Sequence, residues 1–317
     1  MTLRRGCDNE PVPSTERRLS PAAARALRIL ETLAADPSRG LTLTELRREL
    51  RFSHGNLHAI LATMEAAGHV RRDATTKAYF LGPALIGIGA AARATYPAVE
   101  TAMPFMESLA AELDTECRAG MRAGDEILVV ARVGPQQPEG YGVTVGERFP
   151  LTPPLGLSYL AWSSEEDIEA YLASAADDLG AAQLARYRDA IEALRGRGYA
   201  VNLESPPQRA LVDTANRILA EASREGYEQQ LTDLAHEIGR HAYVLTGMGI
   251  DAIDVGHVLH VGAPVFGPDG TVELVVGVSF VTPYLAGHAI TDVAELVVAA
   301  TQEITRKRGG RAPEPPR

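Results

Sequence analysis

Between Ser20 and Gly82 the chain strings helical stripes, turns and a hairpin together in an order that few small folds share. Ser20-Pro21 sets an N-cap before a proline at the first helical position, and Ala23, Ala26, Leu27, Leu30, Leu33 and Ala34 follow at helical spacing. Asp36 to Gly40 reads as a turn. Thr42-Leu43-Thr44-Glu45 is a capping box, after which Leu43, Leu46 and Leu50 form one stripe of a short helix. Past a break at Arg51-Phe52, Ser53 is placed to cap a third helix that buries Leu57, Ile60, Leu61 and Met64 and stops at Gly68. Val70 to Asp73, a turn at Ala74-Thr75-Thr76, and Lys77 to Leu81 then read as a β-hairpin. Helix, short helix, tight turn, helix and hairpin is a winged helix-turn-helix layout. Any three-helix bundle shows similar stripes, so the specificity lies in the short second helix and in the Arg/Lys-bearing hairpin after the third.

Charge separates this head from the rest. Residues 1–82 carry 13 Arg/Lys against 9 Asp/Glu, a net of +4, and the remainder carries 18 against 32, a net of −14. A modestly basic end on an acidic body suits a DNA-reading head on a body that DNA does not touch, although charges also serve simply to solvate two surfaces. With 45% hydrophobic and 23% charged residues over 317 positions, the chain can form two globular cores. No apolar run reaches the roughly 20 residues that span a bilayer, so no membrane partner is expected. Residues 1–19 contain arginines but no apolar segment of a secretory signal. Only Cys7 and Cys117 are present, too few for a disulfide framework, and a cytoplasmic location is expected.

The pattern divides the chain into a disordered arm 1–19, a winged helix-turn-helix domain 20–82, a linker helix 83–97, a larger domain 98–305 and a disordered tail 306–317. In the larger domain a helix from about Pro97 precedes strands at Glu116–Arg122, Glu126–Val133 and near Tyr141–Val145. Helices follow at about Pro154–Trp162, Glu165–Ala173 and Leu179–Arg195, then strands at Tyr199–Asn202, Val258–Val265 and Val272–Val281, and a closing helix at Ile290–Arg306. Helices flanking a mostly antiparallel sheet give an α+β fold. The segment 204–256 has two helical stripes, Leu211 to Ala222 and Leu231 to Leu245, and reads as an inserted helical hairpin.

On the third helix, Ser53, His54, Asn56, His58 and Ala59 lie off the apolar stripe, where side chains of a recognition helix reach base edges. Asn56 can make the bidentate contact to adenine, and a neutral histidine can donate or accept once. Arg25, Arg28, Arg47, Arg48, Arg71, Arg72 and Lys77 are candidate phosphate contacts, with ordinary solvated arginines as the competing reading. Catalytic or metal chemistry has little support. His54 and His58 have i, i+4 spacing without a third ligand, His236 and His241 diverge at i, i+5, and His257 and His260 face opposite sides of a strand. There is no Gly-x-Ser-x-Gly and no Gly-rich phosphate loop, and Cys117 reads as a small core hydrophobe. No cofactor is expected.

Taken in order, these segments resemble the IclR family of bacterial regulators over roughly residues 20–305. The resemblance rests on Arg25 to Glu31, Leu41 to Leu46, Leu57 to Met64 and Tyr79 to Pro83 in the head. In the body it rests on Gly124 to Val130, Pro150 to Gly156, Gly198 to Val201 and Ala263 to Phe266. It implies a GAF-like effector domain, a homodimer or homotetramer, operator DNA as partner, and control of operons for small-molecule metabolism. It also implies a pocket between the sheet and Thr152–Leu160, lined by Leu151, Gly156, Leu157, Val258, His260, Ser279 and Val281. The chain departs from the family pattern where His54-Gly55-Asn56 and Ala59 stand on the recognition helix, and where His260 replaces a common pocket cysteine and Val281 a pocket serine. The substitution by Val281 favours an apolar or aromatic organic effector with one or two polar groups over a very small polar acid. The first reading is therefore a ligand-responsive repressor. The alternative is a GAF-like small-molecule-binding protein, or an enzyme, with a vestigial DNA-binding head.

Overall fold

A computed structural model of the chain describes residues 20–35, 38–135, 143–153, 155–175, 180–203, 243–244, 256–279, 284–285 and 287–313. The chain divides into two compact units, Met1–Leu85 and Ile86–Arg317.

The first unit contains α1 (Pro21–Ala35), α2 (Leu43–Leu50), α3 (His54–Ala66), β1 (Val70–Arg72) and β2 (Tyr79–Leu81), the two strands pairing antiparallel. The capping box forms as the sequence predicts: the Thr42 hydroxyl accepts from the Glu45 amide at 3.3 Å, and the Glu45 carboxylate accepts from the Thr42 amide at 2.8 Å. Ser53 is the N-cap residue of α3, but its side chain makes no cap hydrogen bond, which corrects the expectation of a capping role. Ile29, Leu33, Leu46, Leu50, Leu57, Leu61, Met64, Val70 and Tyr79 make the core. On α1 the buried stripe runs Ala26, Ile29, Leu30, Leu33, so Leu27, one residue round the helix from Ala26, is 58% exposed rather than inside. The hairpin turn is tied by the Asp73 carboxylate, which accepts from the amides of Thr75 and Thr76 and from the Thr76 hydroxyl. Those bonds hold the Asp73 carboxyl below the ordinary aspartate range.

Helix α4 (Ala84–Ala94) spans the division between the units and buries none of its residues. The second unit continues with α5 (Pro97–Leu113), β3 (Glu116–Ala123), β4 (Glu126–Val133), β5 (Arg148–Pro150), α6 (Leu157–Leu160), α7 (Glu165–Ala173), α8 (Ala181–Arg197), β6 (Ala200–Leu203), β7 (Tyr243–Val244), β8 (Gly256–Phe266), β9 (Val272–Ser279), β10 (Tyr284–Leu285) and α9 (Gly287–Lys307). The strands form one antiparallel sheet in the order β5-β4-β3-β9-β8-β6-β7, with β10 also paired to β8.

Strand alternation loads the two faces differently. Cys117, Ala119, Val261, Ala263, Val276 and Val278 point into one core together with Met106, Leu109, Ile290 and Val297 of α5 and α9. The other face carries α6 to α8, whose own core gathers Leu157, Leu160, Ile168, Leu172, Ile191 and Leu194 around Ala200 of β6.

Three sequence expectations are corrected here. The strand expected near Tyr141–Val145 forms instead at Arg148–Pro150, because Gly146 turns the chain at φ +94° and the Glu147 carboxylate accepts from the Thr144 amide. The helix expected over Pro154–Trp162 is a single turn, since Gly156 enters it with φ +95°. Within the expected helical hairpin 204–256, Tyr243–Val244 pairs with Leu203 and Asn202 as a strand, as suits a β-favouring pair beside an open sheet edge. Most of that segment lies outside the described residues.

Candidate functional site

The head presents one helix start and one hairpin to solvent. Leu57, Leu61 and Met64 anchor α3 in the core, which leaves Ser53, His54, Asn56, His58 and Ala59 exposed. The rings of His54 and His58 stack with centroids 6.3 Å apart. The Arg71 guanidinium lies 4.2 Å above the Phe80 ring and that of Arg72 5.3 Å above Tyr79, so each stacks on an aromatic face of the hairpin. Lys77 takes the left-handed conformation at φ 60° and its ammonium donates to the Ala74 carbonyl at 2.6 Å. Arg25 and Arg28 sit over Phe52 at 5.9 and 5.3 Å, and Arg47 and Arg48 are exposed on α2.

In the second unit the sheet face beneath α6 carries a polar cluster. Register sets one row of Arg132, Arg118, Gly277, Gly262 and Ala200, and a second of Glu116, Ser279, His260 and Asn202. The glycines are required by what lies on them. A Cβ at Gly277 would come within 2.5 Å of His260 Cε1 and of the Val261 carbonyl, and a Cβ at Gly262 within 2.7 Å of His260 Nε2. Gly120, in the neighbouring row, is overlain by the Tyr159 hydroxyl, and Gly156 by a methyl of Leu151. Tyr159 comes down from α6, whose approach is fixed by Tyr171 donating to the Leu155 carbonyl at 2.7 Å and by Arg195 donating to the Ala161 carbonyl.

His260 Nδ1 lies 3.2 Å from the Ser279 hydroxyl. Burial, and then the positive charge of Arg118, push its pKa down to about 3, against a hydrogen bond with the Val278 backbone, so the imidazole is neutral at pH 7. Burial also lowers the pKa of Arg118, which stays cationic because guanidinium starts so high. The Tyr159 hydroxyl is raised by burial, with Arg118 opposing. Glu116, fully buried, accepts from Arg132 Nε at 2.6 Å. Cys117 is on the other face, its thiol pushed up to about 12 by burial and by Glu116, which makes it a core residue.

Of the residues expected to line the pocket, His260 and Ser279 meet at 3.2 Å, and Leu151 packs on Gly156, just before Leu157 at the start of α6. Val258 pairs with Leu203 in register, and Val281 lies outside the described residues. The sequence reading missed Glu116, Arg118, Gly120, Arg132, Tyr159, Gly262 and Gly277. One signal was available: in Glu116-Cys117-Arg118-Ala119-Gly120 the charges alternate with small apolar residues, which places two charges on one face of a central strand. Among the described residues no group of three or more His, Cys, Asp or Glu could hold a metal, and no helix is long and apolar enough to cross a membrane.

Residues 92–208 match the family model described as bacterial transcriptional regulator IclR C-terminal, and residues 19–77 match the MarR family model, a helix-turn-helix head. The two matches together have the layout of an IclR transcriptional regulator, a helix-turn-helix head followed by an IclR C-terminal domain. Among curated relatives the chain is 27% identical over 223 residues to the HTH-type transcriptional regulator BhcR of Paracoccus denitrificans, covering 67% of this chain and 79% of BhcR. Its fold is that of solved IclR structures. The regulator from Alicyclobacillus acidocaldarius has a TM-score of 0.62 at 20% identity, covering 92% of this chain and 100% of the other. An IclR homolog complexed with 4-hydroxybenzoate from Microbacterium hydrocarbonoxydans gives 0.58 at 15% identity, covering 90% and 99%. The chain thus joins a helix-turn-helix DNA-binding head to a C-terminal effector-binding domain, the arrangement of the transcriptional regulators it resembles. The C-terminal family match includes Glu116, Arg118 and Tyr159 but ends before β8 and β9, which bring His260 and Ser279.

Proposed function

We propose that this chain is a cytoplasmic repressor of an operon for small-molecule metabolism, released from its operator by an organic effector. The observation that carries the reading is the polar face beneath α6, where His260 packs over Gly277 and Gly262 beside Ser279 and the Tyr159 hydroxyl packs over Gly120. Leu151, Gly156, Leu157, Val258 and Val281 complete the proposed lining, which suits an apolar or aromatic effector with one or two polar groups. The 4-hydroxybenzoate in a structural relative is a molecule of that description. Ser53, His54, Asn56 and His58 are the proposed base contacts, and Arg25, Arg47, Arg71, Arg72 and Lys77 the proposed phosphate contacts.

Two heads acting together suit a twofold-symmetric operator, and α4 supports a dimer: Ile86 is 76% and Ile88 53% exposed on a helix otherwise rich in alanine and glycine. An effector releases DNA only by binding the released state more tightly than the bound one. The test is a reporter driven by the neighbouring promoter. Deleting the gene raises transcription if the protein represses, and restoring it lowers transcription again. Transcription that falls on deletion makes it an activator.

A further inference from the structure

We propose that the fork at which β3 and β9 part is a second ligand site, separate from the face beneath α6, and that it takes a monoanion with a single aromatic ring. The β3–β9 ladder ends at Gly120 and Val275, although β3 runs on to Ala123 and β9 begins at Val272. Each strand stays paired on its other side, Ala123 with Glu126 and Val272 with Phe266, so the β3–β4 and β8–β9 hairpins diverge toward their turns. Backbone donors and acceptors on the two facing edges therefore find no ladder partner across the gap and turn to water or to a ligand. A cavity of about 250 Å³ lies at the gap, bounded by Met121 and Arg122 of β3, by Val272 to Leu274 of β9, by the start of α5 and by Arg308 just past α9.

Leu274 is part of the α5–α9 core and Met121 packs against it, on the opposite side of the sheet from Tyr159 and His260. With Val99 these two give the cavity an apolar floor, and the half-exposed Tyr96 adds an aromatic ring to its wall. The charge of the lining is positive. Arg308 is matched by Glu273, its Nε and Nη2 donating to the two carboxylate oxygens at 3.2 and 3.3 Å. Arg122 has no carboxylate partner among the described residues; its one hydrogen bond runs from Nε to the Gly124 carbonyl at 3.1 Å, which leaves both Nη groups for a ligand. The lining thus carries one net positive charge within residues 83–317, a part of the chain whose formal charge is −14. A guanidinium edge suits a carboxylate, but an exposed arginine alone holds one weakly. The apolar floor must supply the rest, which selects an anion with an apolar body. The volume falls below the roughly 300–1,000 Å³ of pockets that bury drug-sized ligands, which limits that body to about one ring. A ligand there also touches Thr95 and Tyr96, the corner between α4 and α5 that Arg93 bridges by donating to Glu100 at 2.8 Å.

The probe is 4-fluorophenylacetate, with 4-fluorophenylacetamide as its neutral counterpart, titrated into the full chain and read by fluorine NMR and calorimetry. We expect the acid to bind and the amide to bind at least tenfold more weakly. Arg122→Gln and, independently, Val272→Trp, which fills the gap, should each weaken the acid at least tenfold. His260→Gln, on the other face of the sheet, should leave that Arg122-dependent binding in place. Arg122 is exposed, so its substitution should keep the melting midpoint near wild type, and it decides the matter if Val272→Trp fails to fold. An acid that binds both fork variants undiminished, an acid lost only in His260→Gln, an amide that binds as tightly as the acid, or an acid that does not bind at all overturns the assignment.

Discussion

His260 rests its imidazole over Gly277, close enough that a Cβ there would lie 2.5 Å from the ring's Cε1 and equally near the Val261 carbonyl. Gly277→Ala must therefore displace either the ring or the backbone, and overpacking of this kind costs about 1–3 kcal/mol. The expected result in denaturant melts is a loss of that size together with weakened effector binding. His260→Ala in the same chain should recover part of the stability but none of the binding. Additive losses would mean that the ring and the glycine are not coupled.

The neutral state of His260 gives a pH signature. In the unfolded chain the imidazole takes up a proton near its ordinary 6.5, whereas in the folded domain it does so only at about 3. Between those values the unfolded state binds more protons, so native stability falls as pH drops through this window and levels off below it. His260→Gln should remove that component, making the variant less pH-sensitive than the wild type between pH 7 and 4. Parallel stability curves for the two proteins would show that the ring titrates normally.

On the head, Asn56→Ala should cost about 1–3 kcal/mol at one adenine position and relax preference there. Arg71→Ala should weaken binding to all sequences alike and reduce the slope of log affinity against log salt by about 1. Titrations against matched and scrambled duplexes at several salt concentrations separate the two. A uniform loss from Asn56→Ala would move that residue from base readout to backbone contact.

Ile86→Glu combined with Ile88→Glu places two charges on the exposed apolar side of α4. Light scattering should report a dimer for the wild type and a monomer for the variant at micromolar concentration. A wild-type monomer, or a dimer unaffected by the substitutions, puts the protomer contact elsewhere.

The sequence made local features legible where one physical rule governs them. Thr42-Leu43-Thr44-Glu45 could hardly be anything but a capping box, and the α3 stripe follows from its period. The register of α1 was hard to read because the alanines that precede Leu27, at 22, 23, 24 and 26, blur the apolar face, so periodicity alone puts Leu27 inside and passes over Ile29 at the true centre. The strand at Arg148–Pro150 was hidden because its signal lies in the turn before it, where Gly146 and the Thr144–Glu147 bond fix the chain. The polar face beneath α6 was half legible. His260 and Ser279 were found by resemblance, but Arg118, Gly262 and Gly277 become one site only when β3, β8 and β9 lie side by side. Sequence separation conceals that kind of proximity: Arg118 and Gly277 are register partners although β3 and β9 are far apart in the chain.

Sequence-specific DNA binding by the exposed start of α3 is tested most directly by selecting from random duplex DNA with the full chain at physiological salt. The predicted outcome is one enriched motif with twofold symmetry, its half-sites about one helical turn or a multiple apart, and loss of one base preference in Asn56→Ala. Recovery of no motif above the unselected pool, with binding that depends on salt alone, would contradict it.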